Sequence, residues 1–251
     1  MKLLKLGGSV ITNKKGRCEA NLQNIEKLAK MLGKLWVSGT RDIILVHGAG
    51  SFGHALVIEK ELRGKLSEDK IEGALEVQRE CANLSDVLVG KLLENGVDAQ
   101  RIAPHEIIEA KAGRIVNIDK TRVFDSLESG KMPVLHGDMV VDSEWGFSVC
   151  SGDQIIAKFA PEAEFVVLGT DVDGILVDGK VVEKIDNSNF NEISKHLKES
   201  GSPDVTGGMY GKILEMLEAG GTYFVVNANF ADRVKAVLED KEAICTKMEF
   251  R

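Results

Sequence analysis

The sequence predicts an α/β fold in which helices cover both faces of a central, mostly parallel sheet, giving a three-layer αβα sandwich. Short apolar runs, typical of buried parallel strands, alternate along the chain with stretches of helical periodicity. The chain has 251 residues, 43% of them hydrophobic and only 4 of them proline, which is enough to fill a large core. No internal repeat or Pro/Ser-rich linker divides the sequence, so we expect a single domain.

A βαβ unit is predicted at the N-terminus. Apolar runs at residues 3–6 and 42–47 each end at a glycine, as expected of buried strands that lead into tight turns. Between them, apolar residues from Leu22 to Leu35 recur at steps of three and four, which places them on one face of a helix.

The same alternation continues through the rest of the chain. We predict a long polar-rich helix followed by four apolar strands, near residues 67–95, 97–103, 132–135, 165–168 and 224–226. The pattern therefore extends over nearly the whole sequence.

One segment breaks the parallel pattern. Within residues 139–149, two short apolar stretches flank Asp142-Ser143-Glu144, which is typical of a β-hairpin. A division of the domain into lobes would fall near this hairpin, giving an N-terminal lobe of residues 1–145 and a C-terminal lobe of residues 146–251.

Composition argues against several functional classes. The formal net charge of −7 disfavours a nucleic-acid partner, because such proteins concentrate Lys and Arg to displace counterions. The 4 cysteines are widely spaced, so we expect neither a metal site nor a disulfide framework. The chain begins on a predicted strand and contains no apolar run of about 20 residues, so we expect a cytoplasmic protein without a membrane partner.

Three glycine-rich turns adjoin predicted strands and helices: Lys5–Ser9, His47–His54 and Thr206–Lys212. Glycine lets backbone N–H groups approach an anion closely, and a helix that starts there adds unsatisfied donors and its dipole. Any one of the three could simply form a tight turn, but their combination favours phosphate binding.

Two common nucleotide-binding motifs are matched only in part. Gly48–Gly53 fits G-x-G-x-x-G after a strand, but a dinucleotide site also needs an acidic residue about 20 positions on, at the end of the next strand. Residues 67–70 are instead polar and open a helix. The third turn also fails the Walker A pattern, because Ile213 follows its lysine. An NAD-dependent oxidoreductase and a P-loop NTPase are therefore disfavoured.

The positions of the cationic residues are more informative than the glycines. Lys212 is predicted in the first turn of a helix, where the dipole disfavours a cation unless an anion lies nearby. The same argument applies to His54, although a surface or core histidine is an ordinary alternative. Lys5 interrupts an apolar strand before two glycines, so its side chain should point into a cleft. From composition alone, Lys14 is a solvated loop charge.

Two acidic segments follow predicted strands. In Ser151-Gly152-Asp153, either polar side chain could cap the helix that starts there. Asp153 could alternatively hold two active-site lysines, which requires a carboxylate between them. In Thr170–Gly174, Asp173-Gly174 could be an ordinary turn pair.

Five motifs taken in order resemble the amino acid kinase superfamily and, within it, most closely the isopentenyl phosphate kinase family: KLGGSVIT, VHGAGSFGH, SGDQ, LGTDVDGI and DVTGGMYGKI. They span the chain from Lys5 to about Asn227. The histidine that ends HGAGSFGH distinguishes this family from acetylglutamate, uridylate and carbamate kinases. Fosfomycin kinase is the nearest alternative.

The resemblance implies three sets of site residues. The acceptor phosphate would be bound by Ala49, Gly50, His54 and Gly152. The transferred phosphoryl group would be surrounded by Lys5, Lys14 and Lys212, with Asp153 organising the lysines. The ATP site would be lined by Thr170, Asp171, Asp173, Gly207 and Gly208, with Lys5, Gly7, Gly8, Ser9 and Lys212 at the phosphates.

The resemblance also implies an amino acid kinase-like fold and an ATP-dependent kinase whose acceptor is itself a phosphate monoester. ATP would arrive with Mg²⁺, the N-terminal lobe would bind the acceptor, the C-terminal lobe would bind ATP, and the chain would form a homodimer. An acceptor phosphate is already ionised near neutral pH, so no general base is needed. The alternative outside the enzymes is a non-catalytic ATP-binding storage or sensor protein.

Overall fold

A computed structural model of the chain describes residues 1–14, 16–199 and 208–250. The strands are β1 (Lys2–Leu6), β2 (Ile43–His47), β3 (Ala99–Arg101), β4 (Ile108–Lys111), β5 (Arg114–Ile118), β6 (Met132–His136), β7 (Asp138–Asp142), β8 (Gly146–Cys150), β9 (Phe165–Thr170), β10 (Leu176–Val177), β11 (Lys180–Val181), β12 (Lys184–Asp186), β13 (Gly221–Asn227) and β14 (Cys245–Phe250). The helices are α1 (Gly8–Ile11), α2 (Leu22–Val37), α3 (Gly50–Glu59), α4 (Ile71–Glu94), α5 (Thr121–Glu128), α6 (Gly152–Phe159), α7 (Phe190–Glu199), α8 (Gly208–Ala219) and α9 (Ala231–Leu238).

The central sheet has eight strands in the order β12-β14-β13-β9-β1-β2-β6-β3. Neighbouring strands of this sheet run parallel except for β13 and β14. The N-terminal strand β1 lies near the middle, where Leu4 pairs with Leu45 on one side and with Val167 on the other. The predicted mostly parallel α/β fold is confirmed.

Two apolar clusters form the core, one on each face of this sheet. Side chains of a strand alternate between the faces, so Leu4 and Leu6 lie in one cluster and Leu3 lies in the other. Helices α2, α4 and α9 contribute to the first cluster, and α5, α6, α7 and α8 contribute to the second. The helical layers therefore cover both faces, as the sequence predicts.

The hairpin predicted within residues 139–149 is present as β7 and β8. It belongs to a separate four-stranded sheet of order β5-β4-β7-β8, in which β4 and β5 form a second hairpin that the sequence analysis missed. A third, smaller apolar cluster lies where α3 and α4 meet β7, and it includes Leu56, Val77 and Met139.

The long helix predicted near residues 67–95 is α4, preceded by a short 3₁₀ turn at Glu68–Lys70. None of the helices that the structure describes combines the length and the apolar character needed to cross a bilayer.

Candidate active site

The glycine turns after β1 and β2 pack backbone against backbone. A Cβ atom on Gly8 would lie 2.5 Å from the Cα atom of Gly50, and a Cβ atom on Gly48 would lie 2.7 Å from the backbone nitrogen of Gly8. No side chain fits into such an approach, which explains the glycines. The first residues of α1 and α3 are therefore neighbours, and the N-terminal ends of both helices lie at the same edge of the sheet.

Thr12 joins the two turns, a role that the sequence analysis missed. Its hydroxyl donates a hydrogen bond to the carbonyl oxygen of Gly8 at 2.8 Å and accepts one from the backbone N–H of Ser51 at 3.1 Å. Gly50 adopts a φ of +51°, and a Cβ atom there would lie 2.2 Å from this hydroxyl oxygen. Thr12 belongs to the motif KLGGSVIT, and that position is the one signal that could have drawn attention to it.

Lys5, Asp153 and Lys212 meet although they come from three distant segments of the chain. The ammonium nitrogen of Lys5, on β1, lies 2.7 Å from Oδ1 of Asp153, the second residue of α6. The ammonium nitrogen of Lys212, on α8, lies 3.6 Å from Oδ2 of the same carboxylate. One carboxylate thus holds two ammonium groups, the arrangement that two closely spaced phosphates would require.

Burial and the neighbouring charges both shift the pKa values of Asp153 and Lys5. Burial raises the pKa of Asp153, but the charges of Lys5 and Lys212 together lower it by more than burial raises it, so the pKa lies below the ordinary value. Burial lowers the pKa of Lys5, an effect that Asp153 opposes and Lys212 reinforces. The carboxylate therefore remains ionised near neutral pH.

Lys14 contacts a different carboxylate. Its ammonium nitrogen lies 2.7 Å from Oδ2 of Asp171, and the hydroxyl of Ser9 donates to Oδ1 of Asp171 at 3.1 Å. Burial raises the pKa of Asp171, while the hydrogen bond from Lys14 lowers it to a net value below the ordinary one. Lys14 is exposed, but this contact ties its loop to the first glycine turn and to the end of β9.

The other predicted ATP-site residues of the β9 segment make local contacts. Thr170 accepts a hydrogen bond from the backbone N–H of Val172 at 3.2 Å. The carboxylate of Asp173 accepts hydrogen bonds from Asn227 at 2.9 Å and from Arg233 at 2.6 Å, which fastens the loop after β9 to β13 and α9.

Residues predicted to bind the acceptor phosphate lie around the second turn. Gly152, the first residue of α6, packs against Lys5, since a Cβ atom there would lie 3.3 Å from Cε of Lys5. Ala49 adjoins Gly137, where an added Cβ atom would lie 3.3 Å from the backbone nitrogen of Ala49. His54 is an exposed residue of α3, one turn after Gly50.

The third glycine turn is described only from Gly208 onward, and Gly207 lies outside the described residues. The prediction that Lys212 lies in the first turn of a helix is wrong. The helix α8 begins at Gly208, so Lys212 is its fifth residue and lies beyond the first turn. The helix dipole acts mainly on the first turn, so Asp153 rather than the dipole determines the environment of Lys212.

In the described part of the chain, no group of three or more His, Cys, Asp or Glu side chains is arranged to hold a metal ion.

Known proteins resemble this chain over its full length. The sequence profile of the Amino acid kinase family matches residues 1–222. The isopentenyl phosphate kinase of Methanocaldococcus jannaschii is 32% identical, covering 100% of this chain and 99% of the relative. That of Methanothermobacter thermautotrophicus is 34% identical, covering 99% of this chain and 98% of the relative.

Solved structures give the same result. A crystallographic structure of isopentenyl phosphate kinase superposes with a TM-score of 0.83 at 33% sequence identity, covering 99% of both chains. The resemblance inferred from the five motifs is thus confirmed independently by sequence and by fold. This chain belongs to the amino acid kinase family, and within that family it belongs with the isopentenyl phosphate kinases.

Proposed function

We propose that this protein transfers the γ-phosphoryl group of ATP to the phosphate of isopentenyl phosphate, giving isopentenyl diphosphate and ADP. The cluster of Lys5, Asp153 and Lys212 beside two glycine turns carries the proposal, in a chain that matches isopentenyl phosphate kinases throughout. The reaction serves isoprenoid biosynthesis, and we place it in a pathway of the mevalonate type.

Electrostatic repulsion is the main obstacle to this reaction. When an acceptor phosphate meets the γ-phosphate, each pair of unit charges at about 4 Å costs about 4 kcal/mol at an effective dielectric constant of about 20. Lys5, Lys14, Lys212 and His54 would offset this repulsion together with backbone N–H groups of the glycine turns. Catalysis would then consist of positioning and of electrostatic stabilisation of an in-line transfer.

The acceptor supplies its own nucleophile. An oxygen of the ionised acceptor phosphate attacks the γ-phosphorus, the bond from that phosphorus to the β-bridging oxygen breaks, and ADP leaves. The attacking oxygen needs no proton removed, so no side chain has to act as a general base.

The two substrates would occupy different sides of the cluster. The acceptor phosphate would bind to the N-terminal lobe at Ala49, Gly50 and His54, with Gly152 beside it. Mg-ATP would bind mainly to the C-terminal lobe, and Mg²⁺ would be held by the phosphates of the nucleotide. The nucleotide would contact the residues predicted from the resemblance: Gly7, Gly8, Ser9, Thr170, Asp171, Asp173, Gly207 and Gly208.

A buried apolar cluster lies next to the proposed acceptor site. Ala49 packs against the third apolar cluster, to which α3, α4 and β7 contribute Leu56, Val77 and Met139. A short hydrocarbon tail attached to the acceptor phosphate could pack against the partly buried residues beside this cluster, Ala49, Leu66 and Phe147, which a more polar acceptor would not do. This environment favours isopentenyl phosphate over UMP, carbamate or N-acetylglutamate.

We further propose that the protein works in the cytoplasm as a homodimer. Several large apolar side chains are exposed in the single chain, among them Val37, Ile58 and Val116. Sedimentation equilibrium at micromolar concentration tests the dimer, and a monomeric mass would contradict it.

The proposed reaction can be tested by measuring ADP release from Mg-ATP with six acceptors: isopentenyl phosphate, dimethylallyl phosphate, fosfomycin, UMP, carbamate and N-acetylglutamate. We expect the highest kcat/KM with isopentenyl phosphate. A preference for fosfomycin would favour the fosfomycin kinase alternative. ATP binding without ADP release in any mixture would favour a storage or sensor protein.

His54 provides a residue-level test of the acceptor site. We expect His54→Ala to raise KM for isopentenyl phosphate by about 10- to 100-fold, the effect of losing one hydrogen bond to a charged group, with little change in KM for Mg-ATP. His196→Ala, which removes an exposed histidine of α7, is the matched control. Unchanged acceptor kinetics in His54→Ala would remove His54 from the site.

A further inference from the structure

The β4–β5 hairpin contacts the helix that carries Asp153. Gln154 directly follows Asp153 on α6, and its side-chain oxygen accepts a hydrogen bond from the backbone N–H of Ile115 at 3.2 Å. Its side-chain nitrogen donates to the carbonyl oxygen of Gly113 at 3.2 Å. The oxygen and the nitrogen of the Gln154 side-chain amide thus both hold the hairpin against the start of α6.

The same hairpin contacts the helix that carries Lys212. Arg114, the first residue of β5, forms a two-pronged ion pair with Glu215 of α8, in which Nη2 lies 2.9 Å from Oε2 and Nη1 contacts Oε1. Glu215 lies one turn after Lys212, on the adjoining surface of the helix. A surface cleft of about 240 Å³ between the hairpin and the two helices is lined by Arg114, Gln154 and Glu215.

The hairpin turn is itself fixed. Ala112 and Gly113 adopt φ angles of +48° and +78°, and their backbone N–H groups donate to Asp142 at 3.0 and 2.8 Å. The ring of Trp145 closes the other side, since a Cβ atom on Gly113 would lie 2.7 Å from that ring. A turn held in this way can act as a rigid support for the two helices.

The contact most sensitive to this support is the one from Lys212 to Asp153. At 3.6 Å it is longer than the 2.7 Å contact from Lys5, which comes from a central strand. A small displacement of α8 would therefore separate Lys212 from the carboxylate before any other part of the cluster changed. The Arg114–Glu215 pair is too exposed at its arginine to add much to the free energy of unfolding, but two parallel hydrogen bonds fix an orientation.

We propose that Arg114, Gln154 and Glu215 are positioning residues for phosphoryl transfer. Through them the β4–β5 hairpin holds α6 and α8 at the separation at which Asp153 contacts both Lys5 and Lys212. This inference rests on the proposed function, in which those two lysines surround the transferred phosphoryl group.

Kinetics of hairpin variants provide the test. We expect Arg114→Ala and Glu215→Ala each to lower kcat about tenfold, as a small misplacement of a reacting group does, with KM for isopentenyl phosphate unchanged. The double variant should be no worse than either single variant, because both remove the same contact. The charge-exchanged pair, Arg114→Glu with Glu215→Arg, should recover most of the lost kcat.

Arg122→Ala is the matched control, because Arg122 is about as exposed as Arg114 but pairs with Glu106 rather than with a residue of α6 or α8. It should leave kcat unchanged. In addition, backbone amides of residues 213–219 should exchange hydrogen faster in Arg114→Ala than in the wild-type protein or in Arg122→Ala, which reports the mobility of α8 independently of activity.

Three outcomes would overturn the inference: wild-type kcat in Arg114→Ala, equal losses in Arg114→Ala and Arg122→Ala, or no recovery on charge exchange together with unchanged amide exchange. Failure of the proposed function gives a different result, because the wild-type protein itself would then release no ADP with isopentenyl phosphate, whereas failure of the inference leaves the wild-type rate intact. The two failures are therefore distinguishable.

Discussion

At the scale of single residues, the site depends on a carboxylate placed between two ammonium groups. Asp153 is 15% exposed and Lys5 is 7% exposed, so neither charge is well hydrated and each needs the other. Lys212 is 36% exposed and reaches the same carboxylate from the solvent side. Lys5 is thus part of the folded framework, whereas Lys212 can be removed without leaving a deeply buried charge unpaired.

We expect Lys212→Ala to lower kcat by about 100- to 1000-fold, corresponding to about 2.7 to 4 kcal/mol for the loss of one oriented donor to the transition state. The melting temperature should change little, because Asp153 keeps its contact with Lys5. Single-turnover kinetics at saturating substrates measure the effect, with the exposed Lys195→Ala as the control. A wild-type rate of phosphoryl transfer would show that Lys212 plays no part in the reaction.

Some residues of the site can be predicted from the sequence and others cannot. Lys5 and Lys212 stand out because each interrupts an apolar or glycine-rich context. Thr12 and Gln154 lie within quoted motifs, but neither their type nor that of Arg114 points to a role, since these roles arise from contacts with segments that are distant in the chain. Such contacts depend on how the elements pack, which a local pattern does not record.

At the scale of elements, the two glycine turns form a unit that tolerates no added atoms. We expect Gly8→Ala to abolish most activity, because its new methyl group would lie 2.5 Å from the Cα atom of Gly50 and would push the turns apart. Gly90→Ala is the control, since Gly90 lies within α4 and a Cβ atom there meets nothing within 4 Å. The control should raise the free energy of unfolding by about 0.5 to 1 kcal/mol, as measured by urea denaturation. Full activity in Gly8→Ala would show that the turns can separate without harm.

Asp142 joins the turns of the two hairpins through hydrogen bonds to their backbone N–H groups. It accepts backbone hydrogen bonds from the β4–β5 turn and from Glu144 and Trp145 of the β7–β8 turn. Burial raises its pKa, but the bonds from Gly113, Trp145 and Glu144 outweigh burial and lower the pKa to about 2.

We therefore expect Asp142→Asn to lower the free energy of unfolding by about 2 kcal/mol near pH 7, where the native carboxylate accepts charge-assisted bonds. Because the folded pKa lies below the ordinary value of about 3.9, this stabilisation is complete above pH 4 and is lost as the pH falls toward 2. Denaturant titrations of both proteins across this range should show the difference shrinking with acid. A constant difference would mean that the Asp142 charge is irrelevant.

The β4–β5 hairpin could not be predicted from the sequence, for two physical reasons. The strand β4 contains Glu109 and Lys111, and it is too short for its alternation to stand out from chance. The turn that follows is Ala112-Gly113 rather than the Asn-Gly typical of such hairpins, because Asp142 supplies the stabilisation from elsewhere in the chain. The buried strands β1, β2, β6 and β9 of the central sheet, by contrast, are continuous apolar runs and were predicted correctly. The strands β12 and β14 at one edge of that sheet were not predicted, because their buried and exposed residues alternate over short stretches.

At the scale of the whole molecule, two buried histidines connect stability to pH. His47 and His136 pair across β2 and β6, and their rings stack with centroids 5.5 Å apart. Each is fully buried, and burial lowers the pKa of His47 to about 4 and that of His136 to about 3. Both are therefore neutral in the folded protein near neutral pH.

The unfolded chain binds protons on these histidines near their ordinary pKa of about 6.5, whereas the folded protein does not. We expect the free energy of unfolding to fall as the pH decreases from about 6.5 toward 5, a range in which these two histidines contribute an uptake of up to about two protons on unfolding. In His136→Asn the slope should correspond to about one proton fewer, while His196→Asn, at an exposed site, should keep the full slope. Identical slopes in all three proteins would contradict the burial argument.

The central position of β1 has a consequence for biosynthesis. This strand precedes every other strand of the sheet along the chain, yet one of its two neighbours is β9, which is synthesised only after residues 7–164 have emerged. Until then, one edge of β1 has no partner in the sheet and offers its peptide groups to other chains. We therefore expect fragments divided near residue 145 to aggregate when translated separately and to regain a folded state when they are translated together.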